Sequence, residues 1–373
     1  MEFDVIGIFL PSAEVLEARI GHEQGCISAT RLKEIENEAV GDIVKRQLDC
    51  GLKAVTSGGI RWKYWDKDFF FGLSGIRKER LESGHIYSNE DVLTDLLRFT
   101  GRISYNPSHP YLEDFSFMAD MVGGRAVCRQ IIPSPAELYM QVFLMADGRP
   151  DMIYPDAQSL VSDITDAYRK TIVRLYGLGC RSIVFDDTVC GRLCEDNFTK
   201  RLLQGGIDIV GLQDTVIRLL NGSFSDMPAD IEKALYISGG DTVVPEWEYI
   251  KYPDNIMPRI LSEVNADKFF MPFYTSDDYS IEILRHVPEG KKIVLGLADA
   301  HSPFQDDEEA IIRFVMKAGR YVNPDLMSVG FKTGFNLSSY APRGLDYNDQ
   351  WAKIEYLKAT IGNYNATMKE IYV

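Results

Sequence analysis

Asp186 and Asp187 stand side by side at the end of an apolar run, Cys180 to Asp186. Adjacent carboxylates at a strand end project to different sides. Asp186 is the better candidate for a general base or hydrogen-bond acceptor, with Asp187 as a substrate contact. The competing role for either is a helix N-cap or a partner for Arg192. Arg61 follows another apolar run and sits among Trp62, Lys63, Tyr64 and Trp65, a mixture that can hold an anionic or planar ligand. The same residues could instead form a surface salt bridge with the rings in the core. His301 and Asp299 follow a third run, and Lys332 with Thr333 a fourth. A histidine there is a candidate base or substrate contact, and Lys332 a contact for a carboxylate or phosphate. Gly239-Gly240-Asp241 offers backbone N–H groups for an anion nest. Cys190 is a weak nucleophile candidate, because no histidine lies near it in sequence.

The elements that would position these groups are legible as alternation. Eight short apolar runs read as strands: 3–9, 52–57, 125–132, 180–186, 233–238, 268–273, 292–297 and 326–331. Several are unbroken β-branched or aromatic stretches, as parallel strands buried on both faces require. Helical spacing occupies 29–51, 159–179, 306–319 and 349–365, and the first of these ends Asp-Cys-Gly, a C-cap signature. Eight strands alternating with helices in 373 residues predict one α/β domain over 1–373, a (β/α)8 TIM barrel. A doubly wound open sheet is the competing fold, but no GxGxxG follows the first strand. Two connections are long, 61–124 and 187–232. The first is a β2–α2 excursion predicted to cover the C-terminal face, where barrel sites are built.

Totals narrow the partners. A formal net charge of -15 disfavours nucleic acid. No apolar run reaches the roughly 18 residues of a membrane span, and the N-terminus lacks a signal-peptide pattern. A cytoplasmic protein acting on a small-molecule ligand is the expectation, with a homodimer left open. The six cysteines and five histidines form no CxxC, HxH, HxxxH or HxC pair, so no dense metal site is visible and no cofactor is expected.

Several phrases, in order along nearly the whole chain, resemble the C-terminal catalytic barrel of cobalamin-independent methionine synthase and its stand-alone relatives. They are Ile6-Gly7-Ile8-Phe9 with Pro11, Ser57-Gly58-Gly59-Ile60-Arg61, Pro133-Ser134-Pro135, Gly179-Cys180 with Asp186-Asp187-Thr188, Leu295-Gly296 with Ser302-Pro303, and Val329-Gly330-Phe331. The resemblance implies a (β/α)8 barrel and methyl transfer from methyltetrahydrofolate to the thiol of homocysteine. It also implies a zinc ion that holds the thiol as thiolate.

The carried-over positions depart from that pattern. The family's His-x-Cys falls on Tyr236-Ile237-Ser238, its Glu on Pro272, and its last Cys on Val329, with Ser328 as the alternative. The amino-acid pocket reads Ile8, Gly59 and Asp186, so only Asp186 matches. The expectation is a diverged, zinc-free activity on another small substrate, with Asp186, Tyr236 and Arg61 as catalytic candidates. Asp187, Trp62, Ser238, His301 and Lys332 would bind substrate. Tyr236 could donate to a substrate oxygen or simply fill the vacated space. A non-catalytic binding or regulatory barrel is the alternative.

Overall fold

The structure is a computed structural model and describes residues 1–80, 95–145, 153–238, 256–276, 280–336 and 345–371. Gly239-Gly240-Asp241 lie outside the described residues. The strands are β1 (Glu2–Phe3), β2 (Ala54–Val55), β3 (Ser74–Arg80), β4 (Asp95–Ser104), β5 (Val127–Pro133), β6 (Ser182–Asp187), β7 (Glu232–Ile237), β8 (Lys268–Pro272), β9 (Lys292–Ala298) and β10 (Met327–Phe331). The helices before β7 are α1 (Ala13–Glu23), α2 (Ala29–Asp49), α3 (Lys67–Gly72), α4 (Pro110–Val122), α5 (Pro135–Met145), α6 (Ala157–Gly177), α7 (Val189–Arg192), α8 (Asp196–Gln204) and α9 (Ile209–Ser223). After β7 come α10 (Ile256–Glu263), α11 (Glu308–Ala318) and α12 (Tyr347–Ile371).

Eight strands form one sheet in the order β1-β10-β9-β8-β7-β6-β5-β2, every pair parallel. The sheet curls until its edges meet, where the Phe9 N–H donates to the Gly58 carbonyl at 2.9 Å. This is the expected (β/α)8 barrel, and each of the eight apolar runs supplies a strand. The first run pairs regularly only over Glu2–Phe3. Beyond it Gly7 takes φ +87° and passes so close to Gly334 that a Cβ would lie 2.5 Å from the Gly334 Cα. Helix ends follow local chemistry. Ser28 caps α2 by accepting from the Arg31 N–H at 3.1 Å, and the chain leaves that helix through Gly51 at φ +84°.

The 61–124 excursion holds α3, the antiparallel hairpin β3–β4 and α4. The hairpin is absent from the sequence expectation because Ser-Gly-Ile-Arg-Lys-Glu-Arg is too polar to read as a strand.

Strand alternation divides the side chains. Outward residues such as Ile183, Phe185, Leu235, Ile237, Phe269, Met271, Ile293 and Val329 join the main core against the helices. Inward residues form a separate apolar cluster of Ile6, Ile131, Val184, Ala234, Tyr236, Phe270 and Val294, with Trp62 packed against it. Below this cluster, toward the strand N-termini, the barrel is plugged by charge. Arg129 donates to both Asp4 carboxylate oxygens at 2.8 Å, while Lys268 reaches Asp4 at 3.3 Å and Glu232 at 3.0 Å. Burial alone would raise the Asp4 carboxyl, but the Arg129 and Lys268 charges beside it hold it below its ordinary value.

Candidate functional site at the barrel mouth

Above the apolar cluster, inward positions at the strand C-termini form a polar ring. Asp186 ends β6 and stands in register with Tyr236 on β7. Ser238, two residues on and on the same face, donates its hydroxyl to Asp186 Oδ1. Tyr236 is 3% exposed, and its phenol donates to the Lys332 carbonyl at 3.5 Å, across the barrel from β7 to the end of β10. Burial, then the Asp186 charge, pushes that phenol well above its ordinary value, so it stays neutral and serves as a hydrogen-bond donor.

Past β10 the Lys332 ammonium lies 4.5 Å from the Tyr274 ring centroid, and Thr333 Oγ1 meets His301 Nε2 at 2.9 Å. Asp299 holds the turn after β9 by accepting from the His301 and Ser302 N–H groups at 2.8 and 3.2 Å. Asp186, Ser238, Tyr236, Lys332, Thr333 and His301 are thus one connected set on four strand ends.

Trp62 closes another side. Its ring stacks on Tyr111 at 5.3 Å and 1°. A Cβ on Gly59 would lie 2.8 Å from the Trp62 ring and 3.1 Å from Ile8. The indole therefore occupies the place into which a side chain at position 59 would grow.

Two sequence candidates are placed elsewhere. Arg61 lies between helices rather than at the mouth: it donates to Asp114 on α4 at 2.8 Å and to Asn37 on α2, and sits 5.0 Å from the Phe117 ring centroid. The salt-bridge alternative describes this contact. Asp187 points outward from β6, fully buried, where it accepts from the Ser134 hydroxyl and from the Cys190 N–H at 2.6 Å. Strand alternation separates it from Asp186. Cys190 is buried, and burial pushes its thiol well above the ordinary value, against the thiolate a nucleophile needs.

The carried-over zinc positions do not fit a zinc ion. The Ser238 hydroxyl is committed to Asp186, the Tyr236 phenol to a backbone carbonyl, and Pro272 has no side-chain donor. Val329 faces outward into the helix layer, a correction to its reading as a mouth position. Its two neighbours face inward: Ser328, the alternative, lies toward the base in register with Glu2 and Val294, and at Gly330 a Cβ would meet the Asp4 carbonyl and Val294. Among the described residues no group of three or more His, Cys, Asp or Glu is arranged to hold a metal.

Sequence reasoning missed Glu137. It sits on α5, 7% exposed, and its Oε1 accepts from the Thr188 N–H and hydroxyl, both at 2.5 Å, and from the Val189 N–H at 3.1 Å. Nothing in its local sequence, Pro-Ala-Glu-Leu, separates it from an ordinary first-turn acid.

No family profile matches the chain. Over 358 residues it is 29% identical to Uncharacterized protein YxjG of Bacillus subtilis (strain 168), covering 95% of this chain and 92% of that protein. The crystal structure of the putative vitamin-B12 independent methionine synthase from Listeria monocytogenes is similar, with 27% identity, a TM-score of 0.75 and 97% of each chain covered. A B12-independent methionine synthase from Shewanella sp. W3-18-1, in complex with selenomethionine, shares the fold at 15% identity and a TM-score of 0.68, over 99% of this chain and 98% of that one. No described helix is long and apolar enough to cross a membrane.

Proposed function

We propose that the chain, a methionine-synthase-like single barrel, acts on a small molecule at the barrel mouth without the zinc that the resemblance implies. The carrying observation is the Ser238–Asp186 hydrogen bond beside the Tyr236 phenol, at the strand end on which the family's His-x-Cys falls. Without a metal, a bound thiol would have only Asp186, Lys332 and His301 to take its proton or favour its thiolate, a weaker activation than coordination. That argues against methyl transfer from methyltetrahydrofolate to homocysteine and for a different small substrate.

In this reading Asp186 is the acceptor or general base, oriented by Ser238, and Tyr236 a hydrogen-bond donor to a substrate oxygen. Lys332 and His301 supply cationic or neutral donors for an anionic end of the ligand. Trp62 is an aromatic wall, held by the 61–124 excursion as it covers the mouth. A cytoplasmic setting goes with this reading.

The test is native metal analysis followed by a thermal-shift screen with homocysteine, methionine, folates and organic anions. The expected outcome is no stoichiometric zinc and stabilisation by a small anion, lost in Asp186→Asn. Stoichiometric zinc, or turnover of homocysteine with methyltetrahydrofolate, would overturn it. The near-complete burial of Tyr236 favours a second reading, a binding barrel without catalysis. A ligand that stabilises the protein and is recovered unchanged after prolonged incubation would select that reading.

A further inference from the structure

Behind the strand end that carries Asp186 lies a pair of buried acids, Glu137 on α5 and Asp187 on β6. Five donors converge on them. The Thr188 N–H, Thr188 hydroxyl and Val189 N–H go to Glu137, while the Ser134 hydroxyl and Cys190 N–H go to Asp187. The groups facing the pair from the surrounding elements are Tyr168 of α6, Asp66 ahead of α3 and the Cys190 thiol of α7. None of these is a cation, and neither acid takes part in an ion pair among the described residues. Two ionised carboxylates here would be buried charges without a counter-ion among the described residues, a costly state.

The bonds distinguish the two acids. Asp187 accepts on both oxygens, Oδ1 from Cys190 and Oδ2 from Ser134. The three bonds to Glu137 all end on Oε1, which leaves Oε2 to carry a proton. The same residues grip the mouth strand: the Ser134 N–H donates to the Asp186 carbonyl at 2.7 Å, and the Ser238 N–H to the Asp187 carbonyl at 2.9 Å.

We propose that Glu137 is a positioning residue that stays protonated beside an ionised Asp187, and that this single-proton pair clamps the turn after β6 and so fixes Asp186 at the mouth. Burial raises both carboxyls; at Asp187 the Ser134 and Cys190 bonds oppose it, while at Glu137 the charge of Asp187 adds to it, in keeping with this assignment. The importance of Asp186 rests on the function proposed above; the proton-holding pair does not.

The sign follows from linkage. A carboxyl raised by folding is protonated in the fold and ionised in the unfolded chain above pH 4.5, so its contribution to stability falls as pH rises from there to the folded value. Carbon-13 carboxyl titration of the full wild-type chain is expected to show one Glu carboxyl still protonated at neutral pH, and that signal missing in Glu137→Gln. Glu137→Gln keeps an Oε1 acceptor and places an amide where the proton would sit. It should fold, gain thermal stability relative to wild type as pH rises from about 4.5 to about 8, and retain slow amide exchange over residues 186–190. Asp187→Asn should speed exchange there.

Full ionisation of every glutamate at pH 6, or a Glu137→Gln stability difference that does not vary with pH, would overturn the proposal. Neither readout involves a ligand, so failure of the functional reading would leave them unchanged.

Discussion

The two ends of the barrel interior solve the same burial problem in opposite ways. At the base, opposite charges saturate one another: Arg129 grips Asp4 with two bonds, Lys268 bridges Asp4 to Glu232, and Lys292 reaches Glu232 at 3.0 Å. At the mouth, hydroxyls do the bonding, Ser238 to Asp186 and Tyr236 to a backbone carbonyl. A charge-locked layer has one low-energy arrangement, because removing any partner strands the rest. A hydroxyl can turn between partners at little cost. The contrast teaches where stability is kept and where exchange with a ligand is possible.

The largest expected effect tests the base. Arg129→Ala leaves the buried Asp4 with Lys268 alone and should cost about 3–5 kcal/mol in denaturant unfolding. If the loss is below about 1 kcal/mol, the base is not a lock.

The next test lies outside both ends and sets their scale. His109 is buried between α3 and α4, accepts at Nδ1 from the Tyr111 N–H at 3.2 Å and therefore donates from Nε2 to the Phe69 carbonyl at 2.9 Å. Burial pushes it down from 6.5 to about 4, with the Phe69 bond opposing. A folded value below the unfolded one means full stability above pH 6.5 and a loss as pH falls from 6.5 towards 4, on the order of 3 kcal/mol. Acid unfolding of His109→Gln should lack that segment of the pH profile.

At the mouth the effects on stability are smaller. Tyr236→Phe removes one long hydrogen bond and should cost about 1 kcal/mol, while weakening whichever ligand the thermal-shift screen identifies. Ser238→Ala should cost about as little in stability and act mainly by taking one hydroxyl donor from Asp186 Oδ1. If either mouth substitution destabilises as much as Arg129→Ala, the contrast between the ends fails.

The barrel was legible because each strand is an uninterrupted apolar run, a pattern that survives without any partner in view. Helix caps were legible for a similar local reason, as at Gly51. The site was legible only in part. Asp186, Tyr236, Ser238, His301 and Lys332 converge because strand ends in a barrel must converge. Arg61 looked like one of them, but two helices that are distant in sequence capture its guanidinium. Asp187 and Val329 were misplaced by one step of strand alternation, which a sequence without register cannot fix. Glu137 was invisible, since its significance lies in Asp187, Thr188 and Val189, some fifty residues away.

The seam where Phe9 meets Gly58 gives the barrel a direction of failure. Elsewhere around the wall, neighbouring central strands are laced over three to six residue pairs, but β1 and β2 each share only two pairs with their ladder partner. Between the two edges the described residues add the backbone bond from Phe9 to Gly58 and the exposed ion pair of Lys53 with Glu2. The cylinder is in effect a rolled sheet whose seam is its thinnest clasp, and opening is expected there first. Ile8 and Gly59 flank the clasp and face Trp62, so the first motion of an opening barrel widens the mouth on its aromatic side.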